Sequence, residues 1–345
     1  MDRQQQDNSS LIGESPAFLE VLEHASAVAP LDRPVLVVGE RGTGKELIAA
    51  RIHFLSNRWD KAYVKVNCAA LSETLLESEL FGHEAGSFTG ATRLHKGRFE
   101  LADHGTLFLD ELANTSSRVQ EKILRVIEYG EFERVGGSKS IRTDTRIVAA
   151  TNVDLPSLAA AGDFRADLVD RLSFDVITIP PLSQREDDIL KLAEHFARRM
   201  ASELSHVLFP GFSKDSQRAL LDYPWPGNVR ELKNTVERAV YRFGGIETPI
   251  TRIQFDPFES PYRPVQSHKP GQATKGDRPP ISEPAKTSEL PGPMDFKETV
   301  KEFEVEILRN ALEVSKFNQR KAAEHLGLTY HQLRGYLRKY ELLGE

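Results

Sequence analysis

The residues of this chain best suited to chemistry are three glycines and a lysine in the run Gly39-Glu40-Arg41-Gly42-Thr43-Gly44-Lys45-Glu46. An apolar run at 34–39 (PVLVVG) leads into it and a helical pattern at 47–56 follows. Glycines between a strand and a helix let backbone N–H groups curl around phosphate oxygens. Lysine there neutralises the β and γ phosphates, and the positive end of the helix faces the same anion. Glu46 stands where Ser or Thr commonly offers a hydroxyl to Mg2+, so metal ligation must lean on other side chains. Those are available at 105–111 (GTLFLDE), an apolar strand ending in two acids. Asp110 is placed to hold Mg2+, and Glu111 to polarise a water for attack on the γ phosphate. Alone, two carboxylates at a strand end are more often merely solvated. Together with the phosphate loop they point to hydrolysis of ATP.

These residues need a frame. Runs at 34–39, 62–68, 105–110, 145–150 and 174–179 read as buried strands, and 119–129 places Val119, Ile123 and Ile127 along one helix face. Strands alternating with helices imply an α/β unit with a mostly parallel sheet. After Pro181 the strand signals stop, and 185–204, 213–223 and 227–243 read as helices. The stretch 257–293 holds 9 of the 19 prolines and almost no apolar periodicity, the composition of a flexible linker. The expected division is a polar tail at 1–10, an α/β unit at 11–180, a helical subdomain at 181–255, a linker at 256–294 and a small helical module at 295–345.

Composition narrows the function classes. Among 345 residues, Lys and Arg number 45 against 51 Asp and Glu, a formal net charge of −6, which rules out a uniformly basic coat. The single cysteine, Cys68, excludes an intrachain disulfide and a multi-cysteine zinc site and fits a reducing compartment, the cytoplasm. The chain starts polar, and no apolar run approaches the roughly 20 residues that cross a bilayer, so neither secretion nor membrane insertion is expected.

The run Glu79-Leu80-Phe81-Gly82-His83-Glu84-Ala85-Gly86-Ser87-Phe88-Thr89-Gly90-Ala91, followed by Gly97-Arg98-Phe99-Glu100, resembles the bacterial enhancer-binding proteins, AAA+ ATPases that activate sigma-54 RNA polymerase. The family's GAFTGA reads GSFTGA here, with Ser87 for Ala. The resemblance implies an AAA+ P-loop ATPase core with a helical lid, a flexible linker and a Fis-type helix-turn-helix. It also implies that Gly86, Ser87, Phe88, Thr89, Gly90 and Ala91 form the mobile loop that touches the sigma factor. Two glycines around an aromatic and a hydroxyl suit a contact that engages and releases.

Further roles follow from the same resemblance. Asn67 matches the switch asparagine that would hold Glu111, and Thr151-Asn152 match the sensor of the γ phosphate. Arg165 and Arg171 match the arginines that reach a neighbour's nucleotide. Six residues along a helix turn by about 240°, so the two cannot share a face, and one must act from the helix start. Salt bridges to Asp167 and Asp170 are the bland alternative. In Trp225-Pro226-Gly227-Asn228-Val229-Arg230-Glu231-Leu232, Arg230 matches the lid arginine, and Asn228 is placed to cap its helix. Arginines completing a neighbour's site require a ring, by resemblance a homo-hexamer. The likeness covers nearly the whole chain and is nearest the phage-shock branch, which lacks a receiver domain and implies control in trans by the negative regulator PspA. Trp59, flanked by Asn57, Arg58, Asp60 and Lys61, is the residue chosen for that contact, against a ring folded onto the core.

Charge is partitioned at the end of the chain. Residues 295–313 carry six acids and three bases, a balance of −3, whereas 314–340 carry six bases and one acid, a balance of +5. Ala322, Ala323, Leu326 and Leu328 would pack one short helix across the Gly327 turn, and Thr329 would cap the next. There Leu333 and Leu337 face inward and His331, Arg334 and Arg338 outward. Tyr330, His331 and Arg334 are the choices for base edges of enhancer DNA; Asn318, Arg320, Lys321, Arg338 and Lys339 are the choices for phosphates. An upstream face of Val300, Phe303, Ile307 and Ala311 is expected to pair two such modules.

Two rival functions share parts of this pattern. Another AAA+ remodelling motor would share the nucleotide site, but the 86–91 loop and the DNA module argue against it. A non-hydrolysing DNA-binding regulator would lack a reason to keep Lys45, Asp110 and Glu111.

Overall fold

The computed structural model describes residues 11–88, 90–206, 208–243, 248–260, 262, 296–315 and 318–340. Thr89, the expected tail at 1–10 and nearly all of the expected linker at 256–294 lie outside them. The chain divides into two units, Met1–Val265 and Gln266–Glu345.

The five apolar runs become one parallel sheet. In chain order the first unit contains α1 (Pro16–Val28), β1 (Val35–Val38), α2 (Lys45–Phe54), β2 (Tyr63–Asn67), α3 (Glu73–Phe81), β3 (Gly82–His83), β4 (His95–Lys96), α4 (Arg98–Leu101), β5 (Thr106–Asp110), α5 (Ser117–Tyr129), β6 (Glu131–Glu133), β7 (Ser140–Arg142), β8 (Arg146–Thr151), α6 (Leu155–Ala161), α7 (Ala166–Leu172) and β9 (Val176–Thr178). The large sheet runs β2-β5-β8-β1-β9. Its register sets Asn67 beside Asp110 and Val38 beside Thr151, so four of the expected site segments meet at the carboxyl ends of neighbouring strands. That edge is where open α/β sheets bind ligands.

Alternation along β5 divides the core. Phe108 joins Phe18, Ile48, Ile52 and Ile177 on one face, while Leu107 and Leu109 join Leu80, Phe81, Phe99, Val119 and Ile123 on the other. Helix α5 shows why its face forms: Ser116 accepts from the Val119 N–H at its start, and Gly130, at φ 66°, ends it in the left-handed region. Two antiparallel hairpins, β3–β4 and β6–β7, had no sequence signal, because strands of two or three residues carry no readable period.

The helical part consists of α8 (Glu186–Glu203), α9 (Lys214–Asp222) and α10 (Asn228–Phe243). Ile189, Leu192, Ala197, Leu220, Trp225, Leu232 and Val236 form its core, with Ile253 and Phe255 packed against it. Trp225 is buried and donates Nε1–H to the Leu220 carbonyl at 2.8 Å. Leu11 packs on the α/β core and Ile12 on the helical one, so the segment ahead of α1 touches both.

The second unit contains α11 (Phe296–Val314), α12 (Gln319–His325) and α13 (Tyr330–Lys339). Leu308, Leu312, Ala322, Ala323, Leu333 and Leu337 form its core. This corrects the expected pairing face in part. Ala311 is buried within the module and Ile307 is exposed, whereas the side chains of Val300 and Phe303 lie outside those described. Among the described residues, no helix is long and apolar enough to cross a membrane.

Candidate functional site

The loop between β1 and α2 has the backbone that phosphate binding needs. Gly42 and Gly44 sit at φ +82° and +96°, and Gly44 is the N-terminal cap of α2. At the start of that helix Leu47 N–H donates to the Gly44 carbonyl at 2.9 Å, and the N–H groups ahead of it have no helical carbonyl four residues back. Thr43 braces the loop by donating its hydroxyl to the Glu40 carbonyl at 2.9 Å. Lys45 is buried, and its ammonium donates to the carbonyls of Gly39 at 2.7 Å and Glu40 at 3.0 Å. Burial lowers the Lys45 pKa; the charges of Asp110 and Glu111 oppose that, and Arg230 and Arg41 add to it. All four side chains therefore act on the lysine.

Asp110 ends β5, and its Oδ1 accepts from the Glu111 N–H at 3.0 Å. Burial raises its pKa, against hydrogen bonding from Glu111 and the charge of Lys45. Glu111 adopts φ 52° and ψ 42°. A non-glycine residue in that region costs on the order of 1–3 kcal/mol, strain of the kind that gathers at functional sites. Among the described residues there is no cluster of three or more His, Cys, Asp or Glu side chains able to hold a metal. Mg2+ is typically held by one or two carboxylates with phosphate oxygens and water, so the donor set at Asp110 and Glu111 fits it. The Glu46 carboxylate is exposed and accepts from Lys65 at 2.7 Å.

Asn67 departs from its expected bond. Its Oδ1 accepts from the Ala69 N–H at 2.9 Å, a local turn, and Glu111 Oε2 accepts from Asn114 at 3.4 Å, so among the described residues the two side chains are engaged elsewhere and not with each other. Thr151 is buried, with Val153 N–H donating to its hydroxyl at 3.2 Å, and its carbonyl accepts from Gly39 N–H at 3.2 Å. Asn152, next to it, is half-buried.

Arg165 is the N-terminal cap residue of α7, with φ −77° and ψ 122°, while Arg171 lies on its last turn. One arginine therefore does sit at the helix start. Arg165 donates to Asp167 at 3.1 and 2.7 Å. Arg171 pairs with Glu128 at 2.9 Å and not with Asp170, because Glu128 of α5 packs beside that turn.

The expected capping role of Asn228 is overturned. Its Oδ1 accepts from Leu182 N–H at 2.7 Å, and its Nδ2–H donates to Glu40 Oε2 at 2.8 Å and to the Arg41 carbonyl at 3.2 Å. At φ 52° the asparagine turns its side chain back toward the phosphate loop. Glu231 takes over at the helix start, accepting from Gly227 N–H at 2.7 Å. Two residues beyond Asn228, Arg230 N–H donates to the Gly42 carbonyl at 3.3 Å, and the Arg230 side chain is exposed.

The described residues of the 86–91 run lie between β3 and β4. Gly86 N–H donates to the Ala91 carbonyl at 2.7 Å and closes it, with Gly86 and Gly90 at φ +82° and +103°. Phe88 packs edge-on against His83 at 4.9 Å, and His83 stacks on His95 at 5.3 Å. Ser87 Oγ is buried with no hydrogen-bond partner. Sequence reasoning missed the root of this loop, where Arg134 donates to Glu100 at 2.9 and 2.6 Å and to Glu84 at 2.9 Å. Burial pushes the Glu100 carboxyl up, but bonds from Arg134 and Gly97 N–H hold it below the usual range. Pairing 50 residues apart leaves no local pattern to find.

Trp59 is 64% exposed. The loop beneath it is fixed by Arg58, which donates to Asp32, Asp144 and the Asp144 and Gly105 carbonyls.

In the second unit, Thr329 and Gln332 form a reciprocal capping box at the start of α13. Leu333 and Leu337 are buried, and His331, Arg334 and Arg338 are exposed on the other side. Tyr330 is half-buried, with the Arg320 guanidinium 6.0 Å from its ring centre. Asn318 corrects its assignment in part: Oδ1 accepts from the N–H groups of Arg320 at 3.2 Å and Lys321 at 3.3 Å, so its carbonyl end caps α12. Lys339 lies 2.7 Å from the Tyr340 hydroxyl and 3.8 Å from Glu304.

Comparison with known proteins decides the family. Residues 11–179 match the Sigma-54 interaction domain, 183–269 an AAA+ ATPase lid domain, and 299–340 a bacterial regulatory protein of the Fis family. The Psp operon transcriptional activator of Escherichia coli (strain K12) is 54% identical over 334 residues, 96% of this chain and 98% of that protein. The chain belongs to the sigma-54-dependent AAA+ transcriptional activators. The Nif-specific regulatory protein of Herbaspirillum seropedicae is 49% identical over 263 residues, 76% of this activator and 48% of that protein, so the activator spans about half the length of that relative. Among solved structures, NtrX from Brucella abortus in complex with ATP is 30% identical with TM-score 0.67, covering 98% of this chain and 71% of that one. Hsp104, at 16% identity and TM-score 0.50, shares the fold alone.

Proposed function

We propose that this activator binds an upstream enhancer, assembles as a homo-hexameric ring and uses ATP hydrolysis to convert sigma-54 RNA polymerase closed complexes into open ones. The observation that carries the reading is electrostatic. Lys45 sits buried in the glycine loop, its ammonium on the Gly39 and Glu40 carbonyls, and feels the charges of Asp110 and Glu111 from the end of β5, Arg41 from the loop and Arg230 from the lid. A triphosphate entering such a site would meet the loop N–H groups and Lys45 as its binding charges. Asp110 would hold Mg2+, which when bound supplies neutralising charge to the phosphate oxygens.

Glu111, on a left-handed backbone just past the end of β5, accepts the proton of the attacking water. Asn67 and Thr151-Asn152 lie on strands that meet this edge and sense whether the γ phosphate is present. Arg165 and Arg171 complete the neighbouring subunit's site; within one chain they pair with Asp167, which is exposed, and Glu128, whose side chain is half-buried. The relative solved with ATP supports the nucleotide assignment.

The readout is the 86–91 loop, in which Phe88 and Thr89 touch the sigma factor. From α13, half-buried Tyr330 and exposed His331 and Arg334 go to base edges, with Arg320, Lys321, Arg338 and Lys339 on phosphates. Control arrives in trans: Trp59, exposed on a braced loop, is the contact for the negative regulator PspA, and the protein works in the cytoplasm. The test is transcription from a sigma-54 promoter in a purified system. Glu111→Ala should retain ATP binding and lose turnover, and Thr89→Ala should retain turnover and lose open-complex formation. Promoter opening that survives both changes would overturn the reading.

A further inference from the structure

We infer that Asn228 is a positioning residue, a pin that registers the lid arginine against the phosphate loop through Glu40. The inference rests on the ATPase reading above and adds a residue to it. Asn228 is fully buried, yet its backbone sits at φ 52°. Asn is among the few non-glycine side chains that tolerate that conformation, and a buried amide in it requires hydrogen-bond compensation from the surroundings. Three bonds supply it, and they go to two separate segments. Leu182, which donates to Oδ1, lies just past the Pro180-Pro181 connection between the sheet and the helices. Glu40 and Arg41, which accept from Nδ2, belong to the phosphate loop.

The backbones are equally close. A Cβ on Gly42 would stand 2.3 Å from the Gly227 carbonyl, and Arg230 N–H reaches the Gly42 carbonyl. Arg230 therefore starts from a point fixed by Asn228, two residues away. The same Glu40 also answers to the lysine. Its carbonyl accepts from Lys45 Nζ and from the Thr43 hydroxyl, while its carboxylate accepts from Asn228. A continuous set of hydrogen bonds runs Lys45–Glu40–Asn228–Leu182, from the phosphate-binding charge to the lid connection. When Lys45 turns toward a phosphate it releases the Glu40 carbonyl, and the change passes to the lid through one side chain.

The test exploits bond polarity. Asn228→Asp keeps an acceptor for Leu182 N–H and tolerates the same backbone, but loses the donor and sets a carboxylate against Glu40. Its KM for ATP should rise at least about tenfold, with a smaller change in kcat. Adding Glu40→Gln returns a donor from the other side, and the double variant should recover most of the lost affinity. A role in folding alone predicts no such reciprocal recovery. Should Asn228→Asp fail to fold, Glu40→Ala deletes the same bond from an exposed position and should raise KM severalfold. Unchanged KM in Asn228→Asp, a double variant no better than the single, or unchanged KM in Glu40→Ala would each overturn the pin. Wild-type protein that neither binds nor hydrolyses ATP would overturn the ATPase reading instead, a separate result.

Discussion

Asp188 accepts the Nε–H of Arg185 at 2.8 Å with both side chains withdrawn from water, and it also accepts from Ser15 N–H at 2.9 Å and the Ser15 hydroxyl at 2.7 Å. The pair fastens the segment before α1 to the first lid helix. Arg185 in turn lies 3.7 Å over the Phe18 ring, so the cluster is packed as well as bonded.

Removing one partner leaves the other charge buried and unpaired, and Asp188→Ala should therefore destabilise the protein by about 3–5 kcal/mol at neutral pH. Burial pushes the Asp188 carboxyl up, but bonds from Glu14 N–H, Ser15 and Arg185 hold it below the usual carboxylate range. A depressed carboxyl stabilises the fold above its unfolded pKa and loses that contribution as pH falls through the folded one. Urea unfolding should show the gap between wild type and variant full at pH 7 and shrinking below about pH 4, the unfolded aspartate range.

Arg165 caps the start of α7 and Arg171 lies on its last turn, and both are proposed for a neighbour's triphosphate. If the site is shared, Lys45→Ala and Arg171→Ala proteins should each be inactive alone and regain partial ATPase activity when mixed. Mixed rings would contain junctions with an intact lysine on one side and an intact arginine on the other. No recovery on mixing would place the arginine's role within its own chain.

Ser87 packs its Cβ against Gly136, where an added Cβ would stand 2.5 Å from it, and its hydroxyl oxygen is left unpaired. A buried polar group without a partner costs about 1–3 kcal/mol. Ser87→Ala should accordingly leave thermal stability unchanged or raise it, and slow amide exchange at Gly86 and Ala91 by stiffening the loop. A fall in stability would mean that the hydroxyl is satisfied in solution.

The sheet and the phosphate loop were legible because each rests on a local pattern. Apolar runs of the right length marked β1, β2, β5, β8 and β9, and glycine spacing marked the turn into α2. Asn228 was misread for the same reason: Asn ahead of a helix commonly caps it, and only the fold brings Glu40, 188 positions away in the chain, into reach of its amide. Arg134 was invisible because its partners, Glu84 and Glu100, come from other segments. In the terminal module the periodicity of α13 gave its inner face, while the cap at Asn318 went unrecognised because a short polar helix start looks like a solvated turn.

Two arginines of α13 in that module are proposed for different contacts. Arg334 lies on the second turn of α13, near the end that a recognition helix presents to the groove, and Arg338 lies one turn further on, near Lys339. A side chain on a base edge discriminates sequence, whereas one on a phosphate contributes binding that falls with salt. Arg334→Ala should thus weaken enhancer binding by about 1–3 kcal/mol and relax the preference at one base pair, with nonspecific binding little changed. Arg338→Ala should weaken all duplexes alike and reduce the slope of log K against log salt by about 1. Titrations against enhancer and scrambled duplexes at several salt concentrations read both effects. Identical behaviour of the two variants would mean that α13 lies across the phosphates and not in the groove.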